Sequence, residues 1–217
     1  MERLASSFTD LATRWSVDGC ELNTLELCSA CSGLSEVLSA VGGPAFAFAA
    51  LDYDKKVVSL REAAASGEPA ARTCSALVAA DAAAGRLRTQ GSLARNLWRV
   101  LNALRFCREL FLGILPDASA PAAAAAAADA VVLSDVVWRS YEATMAASHL
   151  WSIRQVVWLA MWAVPTRAVF LDTLASHTPG GAPAADAAAR TFVAAAEVII
   201  ARLDALYDGP CTDANGA

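Results

Sequence analysis

The sequence predicts an all-α protein. Alanine supplies much of its hydrophobic fraction of 56%, whereas aromatic residues make up only 7%, and alanine has the strongest intrinsic preference for helix. Apolar residues recur at every third or fourth position in several segments, which is the spacing of one helix face. Glycine and proline separate these segments. With 217 residues, the chain is long enough to bury a core as a single domain without disulfides.

The expected organisation is one helical domain with short additions at its ends. Residues 1–23 form an N-terminal helix and linker, 24–207 the main domain, and 208–217 a disordered tail. The low-complexity segment 116–129 predicts a mobile surface loop. The expected helices cover 1–17, 24–41, 45–65, 70–84, the segment that follows Ser92 up to about Leu115, 130–147, the segment from Ser148 to Pro165, and 184–207.

One expected helix, GSLARNLWRVLNALRFCRELF, carries two arginines on the side opposite its core stripe. Arg95 and Arg99 lie four residues apart and therefore one above the other. The same side continues with Ala103, Phe106 and Leu110. A helix with apolar groups on both sides and guanidinium groups at one end indicates the wall of a cavity with a charged mouth. A solvated surface pair is the alternative when this helix is considered alone.

Two further segments contribute polar groups at helical spacing. Asp52 and Lys56 are i and i+4 neighbours; on spacing alone, an exposed ion pair worth about 0.3–0.5 kcal/mol is the common explanation. In SHLWSIRQVVWLAMWAVP, Ser148 is the expected N-cap, which places His149 in the first helical turn. A single histidine on a helix is more often a core or capping residue than a functional one.

The same segment carries two apolar stripes. Trp151 is expected either in the core or at a membrane interface, where an indole satisfies both its apolar ring and its N–H donor. The expected core stripe consists of Ile153, Val157, Ala160 and Val164, and the second stripe of Trp151, Trp158 and Trp162.

Composition and motifs exclude several classes of function. The net charge of −5 argues against a nucleic-acid partner, which requires a basic surface. The N-terminus has acidic residues and lacks the apolar stretch of a secretory signal, so we expect a cytosolic protein. The sequence contains none of the GxSxG, Walker or HExxH motifs. We therefore expect neither an enzyme nor a cofactor.

The cysteines are expected to be free thiols, since a cytosolic location disfavours disulfides. Cys28 and Cys31 have CxxC spacing, but no second pair and no nearby histidine completes a zinc site. Packing as small buried residues is favoured over a metal or redox role. The six cysteines are Cys20, Cys28, Cys31, Cys74, Cys107 and Cys211.

Three segments together resemble a known family. LDYDKKVVSLREAA, GSLARNLWRVLNAL and SHLWSIRQVVWLAMWAVPTRAVFL are similar to the signature regions of the glycolipid transfer protein family. They match best the branch that contains ceramide-1-phosphate transfer proteins and the plant accelerated-cell-death protein. The resemblance spans about residues 24–207. It implies two layers of helices, a headgroup pocket at the surface and an internal hydrophobic tunnel for the lipid chains.

The resemblance implies a role for each of five polar residues. Asp52 matches the aspartate that accepts hydrogen bonds from the sphingoid amide and hydroxyl, and Lys56 matches a residue that meets the headgroup. Arg95 and Arg99 match the pair that binds phosphate. His149 matches the histidine that bonds the acyl amide carbonyl.

Arg99 distinguishes branches of the family, and Leu150 and residues 101–104 depart from its pattern. The sugar-binding branch has a tryptophan at the position of Arg99, so arginine there favours a phosphate headgroup. Trp151 matches a tryptophan near the membrane-docking surface. Leu150 replaces the usual glycine or proline, which can alter docking, and LNAL at 101–104 replaces a more basic stretch, which can weaken headgroup affinity.

These residues predict a carrier that transfers ceramide-1-phosphate-like sphingolipids between membranes, with transient membrane contact and no covalent chemistry. Glycolipid transfer is the alternative within lipid handling. A lipid-gated module that reports sphingolipid levels to a protein partner is an alternative of another class. A helical scaffold without a ligand is the third alternative.

Overall fold

A computed structural model describes residues 1–16, 21–115, 131–176 and 178–208. These residues form helices joined by turns, without a β-strand among them; Asn23 and Thr73 form an isolated bridge. The all-α prediction is therefore confirmed. The predicted insert 116–129 lies outside the described residues, as does the tail after Asp208.

The α-helices include one, Arg167–Ser176, that the sequence did not predict. Short 3-10 helices occupy Pro69–Ala71, Ala146–Ser148 and Met161–Ala163. The α-helices are α1 (Glu2–Trp15), α2 (Thr24–Cys31), α3 (Leu34–Ala40), α4 (Gly43–Ala65), α5 (Cys74–Ala83), α6 (Leu93–Ile114), α7 (Leu133–Thr144), α8 (Trp151–Ala160), α9 (Arg167–Ser176) and α10 (Gly181–Asp208).

Some predicted helices are shorter than expected. The predicted helix 24–41 is two helices, and the break at Gly33 lies against α1, where an added Cβ would be 3.2 Å from Leu4 Cδ1. The predicted helix 70–84 becomes an α-helix only at Cys74. An apolar face can continue through a break of this kind, so periodicity does not locate it.

The predicted N-cap at Ser148 is wrong. Ser148 ends the 3-10 helix Ala146–Ser148, and its Oγ donates to Met145 O at 2.8 Å. The backbone of His149 is extended, with φ −106° and ψ 139°, and α8 begins only at Trp151. His149 therefore lies in a short linker rather than in a helical turn.

The predicted core stripe of α8 is also wrong. None of the residues of α8 is buried, and Ile153 is 44% exposed. Val157, Ala160 and Val164 are only partly buried against the edge of the core. Because α8 packs on α4 at the outside of the molecule, most of its apolar side chains face away from the core.

The centre of the fold is α6. Helices α4, α7 and α10 pack against it, as do α3 and α5. Burial on both sides fixes the rotation of α6 about its axis, so that the positions of its arginines at the N-terminal end are determined. The buried residues include Leu97, Leu101 and Leu104 on one side and Ala103, Phe106 and Leu110 on the other.

The N-terminal helix is part of the same core. α1 packs along α10, and the ring of Phe192 lies 5.0 Å from that of Phe8 and 5.6 Å from that of Phe111, both in edge-on geometry. Phe192 thus connects α1, α10 and α6. Edge-on aromatic pairs of this kind add about 0.5–1.5 kcal/mol to the contribution of their buried area.

A buried carboxylate fixes the first turn of α6. Ser92 is the N-cap, and its Oγ accepts from Arg95 N at 3.2 Å. Asp81, on α5, is only 4% exposed and accepts from Ala94 N at 2.9 Å through Oδ2. Its Oδ1 pairs with Arg86 Nη2 at 3.0 Å. A negative charge at this end also interacts favourably with the helix dipole.

The described cysteines pack in the core, as predicted. Cys28, Cys31, Cys74 and Cys107 are buried and free. Burial raises the pKa of the Cys28 thiol to about 11 and that of Cys31 to about 12. Both thiols are therefore protonated and unreactive at neutral pH. The other two cysteines of the sequence lie outside the described residues.

Replacement of Asp81 tests the start of α6. Asp81→Ala leaves the buried N–H of Ala94 without its acceptor, which costs about 1–3 kcal/mol, and we expect the free energy of unfolding in urea to fall by that amount. Asp172→Ala, at an exposed position of α9, is the control and should change it by less than about 0.5 kcal/mol. Equal unfolding midpoints for the two variants would contradict this assignment.

Candidate functional site

Asp52 connects two helices through ion pairs. Lys56, one turn later on α4, places Nζ 3.0 Å from Asp52 Oδ1. Arg99, on α6, places Nη2 3.4 Å from Asp52 Oδ2. All three side chains remain partly exposed, so each pair contributes at most about 1 kcal/mol to stability. The main effect of these pairs is to place two cations next to one anion at the surface.

Arg95 is a third cation on the same face of α6 as Arg99. It lies one turn before Arg99 on α6 and is half-buried. Within the described residues, the Arg95 guanidinium has no carboxylate partner, in contrast to Lys56 and Arg99. Lys56 and Arg99 thus bring two positive charges to the one negative charge of Asp52, and Arg95 supplies a third positive charge one turn away on α6. This excess of positive charge favours the binding of an anion.

His149 lies beside these charges. Burial lowers the pKa of the His149 imidazole below its usual 6.5, the positive charge of Arg99 lowers it further, and the carboxylate of Asp52 opposes the shift. The shift favours the neutral form of His149, and His149 is close enough to Arg99 and Asp52 to interact electrostatically with them. We call Asp52, Lys56, Arg95, Arg99 and His149 the polar cluster.

Tyr141 is a neighbour of His149 that the sequence analysis did not identify. The Tyr141 hydroxyl lies 3.0 Å from His149 Nδ1, and the two ring centroids are 5.6 Å apart. Tyr141 is on α7 and only 2% exposed. The sequence shows only an apolar face at this position, so it offers no signal for this contact.

The apolar residues beneath the arginines are packed against one another. Phe106 lies on the side of α6 that carries the arginines, and it stacks on Phe46 of α4 with ring centroids 6.3 Å apart. Ala103 and Leu110, on the same side, are also buried. Cavities of about 380 and 140 Å³ lie elsewhere, among α1, α5 and α10. The predicted tunnel remains a prediction.

A large exposed apolar surface adjoins α4. Trp151 is 73% exposed, Leu150 77% and Trp162 84%. On α4, which packs against α8, Phe48 and Leu51 are also exposed. Apolar patches of this kind mark sites of contact with another molecule or a membrane.

Helix length and composition indicate whether a helix can span a membrane. Within the described ranges, no single helix is long and apolar enough to span a bilayer. Trp151–Ala163 and Arg167–Ser176 meet that criterion only as a pair, and the pair is bent by 85°.

Sequence relatives cover most of the chain. The protein called accelerated cell death 11 from Arabidopsis thaliana is 30% identical over 207 residues, which cover 95% of this chain and 91% of that protein. The ACD11 homolog protein of the same organism is 30% identical over 191 residues, or 88% of this chain and 75% of that protein.

Solved structures share the fold. A variant of Arabidopsis ACD11 complexed with C12 ceramide-1-phosphate matches with a TM-score of 0.78 and 29% identity, over 94% of this chain and 92% of that chain. Human ceramide-1-phosphate transfer protein, in complex with 12:0 ceramide-1-phosphate, matches in fold with a TM-score of 0.73 and 22% identity, over 95% and 94% of the two chains. The predicted fold class is thereby confirmed.

The family model for the glycolipid transfer protein (GLTP) matches residues 22–176. This span includes α4, α6 and the linker of His149, and so the whole polar cluster. The chain therefore belongs to the glycolipid transfer protein (GLTP) family.

Proposed function

We propose that this protein transfers ceramide-1-phosphate-like sphingolipids between membranes, without covalent chemistry and therefore not as an enzyme. The observation that supports this proposal best is the polar cluster, in which one carboxylate pairs with two cations and a third cation lies one turn away on α6. The neutral form of the adjacent imidazole is favoured. The ACD11 and human relatives described above were solved with ceramide-1-phosphate. The cytosol is the proposed location, with transient membrane contact, and nucleic acid is not a proposed partner.

The cations match the charge of a phosphate monoester. Such a group carries about −1.5 to −2 charges at neutral pH, and Lys56, Arg95 and Arg99 exceed the charge of Asp52 by two. The occupied site is thus nearly neutral. Guanidinium suits phosphate because its planar fork donates two parallel, charge-assisted hydrogen bonds.

The other members of the cluster match the amide of a ceramide. A carboxylate repels phosphate but accepts readily from an amide N–H, so Asp52 faces the amide in this proposal. His149 donates from one ring nitrogen to the amide carbonyl. Both polar groups of the amide are then satisfied, which matters at a site that is partly removed from water.

The lipid chains contribute affinity but little selectivity. Each CH₂ group removed from water contributes about 0.8 kcal/mol. Since the interior of a membrane is equally apolar, this contribution nearly cancels when a lipid leaves the bilayer. Discrimination between lipids then depends on the contacts with the headgroup and amide.

Removal of one guanidinium tests the headgroup assignment. Arg99→Leu deletes charge-assisted hydrogen bonds worth about 1.5–3 kcal/mol, so we expect ceramide-1-phosphate transfer between vesicles to fall by about tenfold to a hundredfold. Arg14→Leu, at an exposed ion pair of α1, should transfer at the wild-type rate. Normal transfer by Arg99→Leu, or equally fast wild-type transfer of galactosylceramide, would refute the phosphate assignment.

Replacement of the exposed indole tests membrane docking. Complete burial of a large apolar side chain contributes about 1.5–3 kcal/mol, and an interfacial indole is buried only in part, so Trp151→Ala should slow transfer by about threefold to tenfold. The affinity of this variant for a short-chain, water-soluble ceramide-1-phosphate should remain unchanged when it is measured without membranes. An unchanged transfer rate, or an equal loss in both assays, would argue against docking through Trp151.

A further inference from the structure

Tyr141 is the one described residue whose hydroxyl touches an imidazole nitrogen of the polar cluster. Its Oη lies 3.0 Å from His149 Nδ1. The side chain is 2% exposed, and its ring contacts Trp138 on α7, with 5.6 Å between centroids. Tyr141 is thus fixed by packing, whereas His149 lies in an extended linker of two residues between helices.

The direction of this hydrogen bond determines which nitrogen of His149 carries the proton. Two arrangements satisfy the distance: the tyrosine O–H donates to Nδ1, or Nδ1–H donates to the tyrosine oxygen. In the second arrangement the buried hydroxyl proton needs another acceptor, and within the described residues the Tyr141 hydroxyl makes no other hydrogen bond. A buried, unsatisfied donor is costly. The first arrangement leaves neither group unsatisfied.

We propose that Tyr141 is a positioning residue that donates its hydroxyl hydrogen bond to Nδ1 and so holds His149 as the Nε2–H tautomer. This inference rests on the proposed function, in which His149 must present a donor to a lipid carbonyl. Tyr141 itself does not touch the lipid; it acts on orientation and protonation of the imidazole ring.

As a consequence, the site accepts an amide in one orientation only. The Asp52 carboxylate can only accept, and the Nε2–H of His149 can only donate, while Nδ1 is occupied by Tyr141. An amide therefore fits with its N–H toward Asp52 and its carbonyl toward His149. In the opposite tautomer, Nε2 would be an acceptor and would repel that carbonyl.

The tautomer can be measured directly in the protein without lipid. Only His149 and His177 occur in the sequence, and a His177→Asn variant assigns their ¹⁵N signals. In wild-type protein at pH 7.5 or above (~1 unit over the usual histidine pKa), we expect His149 Nδ1 to be unprotonated and Nε2 to carry hydrogen. A protonated Nδ1 would overturn the proposal, whatever happens to the variants.

Tyr141→Phe removes the hydroxyl and keeps the ring. We expect the ¹⁵N pattern of His149 to shift toward a mixture of both tautomers, and ceramide-1-phosphate transfer to fall by about threefold to tenfold, since a neutral hydrogen bond is worth about a factor of this size. Tyr53→Phe is the matched control, because the buried Tyr53 hydroxyl donates to Cys31 O at 2.8 Å instead. It should leave both readouts unchanged.

The two measurements separate this inference from the proposed function. A Tyr141→Phe variant with the wild-type ¹⁵N pattern of His149, or with transfer equal to that of Tyr53→Phe, contradicts the positioning role. If wild-type protein shows the expected tautomer but transfers no ceramide-1-phosphate, the proposed function fails, and the hydrogen-bond assignment alone stands.

Discussion

The carboxylate of Asp52 joins α4 and α6 through ion pairs. Its two oxygens pair with Lys56 on α4 and Arg99 on α6, so one anion keeps two cations within reach of a single ligand. Without that anion, the positive charges of Lys56 and Arg99 would repel each other. Because the side chains are already ordered, less conformational freedom is lost when a ligand binds. The same carboxylate then accepts the amide hydrogen in the proposed complex.

The rest of the fold supplies the rigidity that this arrangement requires. α6 is buried on both sides, and its first turn is fixed by the buried carboxylate of Asp81, which bonds to Ala94 N next to Arg95. Tyr141 similarly limits the orientation of His149. Sites are well defined when packed elements and further hydrogen bonds lock the side chains that contact the ligand. In this protein, the buried residue Asp81 fixes the backbone next to Arg95, and the buried residue Tyr141 orients His149.

Sequence reasoning predicted those features that depend on local geometry. Helical spacing alone made Asp52 and Lys56 neighbours, and their ion pair is present. The approach of Arg99 depends on how α4 packs on α6, and in the sequence it followed only from a family resemblance. The contact between His149 and Tyr141 could not be predicted, because it depends on a 3-10 turn and an extended linker that periodicity does not reveal. The outward position of α8 was missed because an apolar face looks the same whether it covers a core or another surface.

A competition between lipids for one binding site tests whether the polar cluster selects a phosphate headgroup together with an amide. The protein is exposed to vesicles that contain equal amounts of ceramide-1-phosphate, ceramide, galactosylceramide and phosphatidic acid with matched acyl chains, and the bound lipid is identified by native mass spectrometry. We expect ceramide-1-phosphate to dominate, because only this lipid has both the phosphate and the amide. Uptake in proportion to the mixture, or a preference for galactosylceramide, would contradict it.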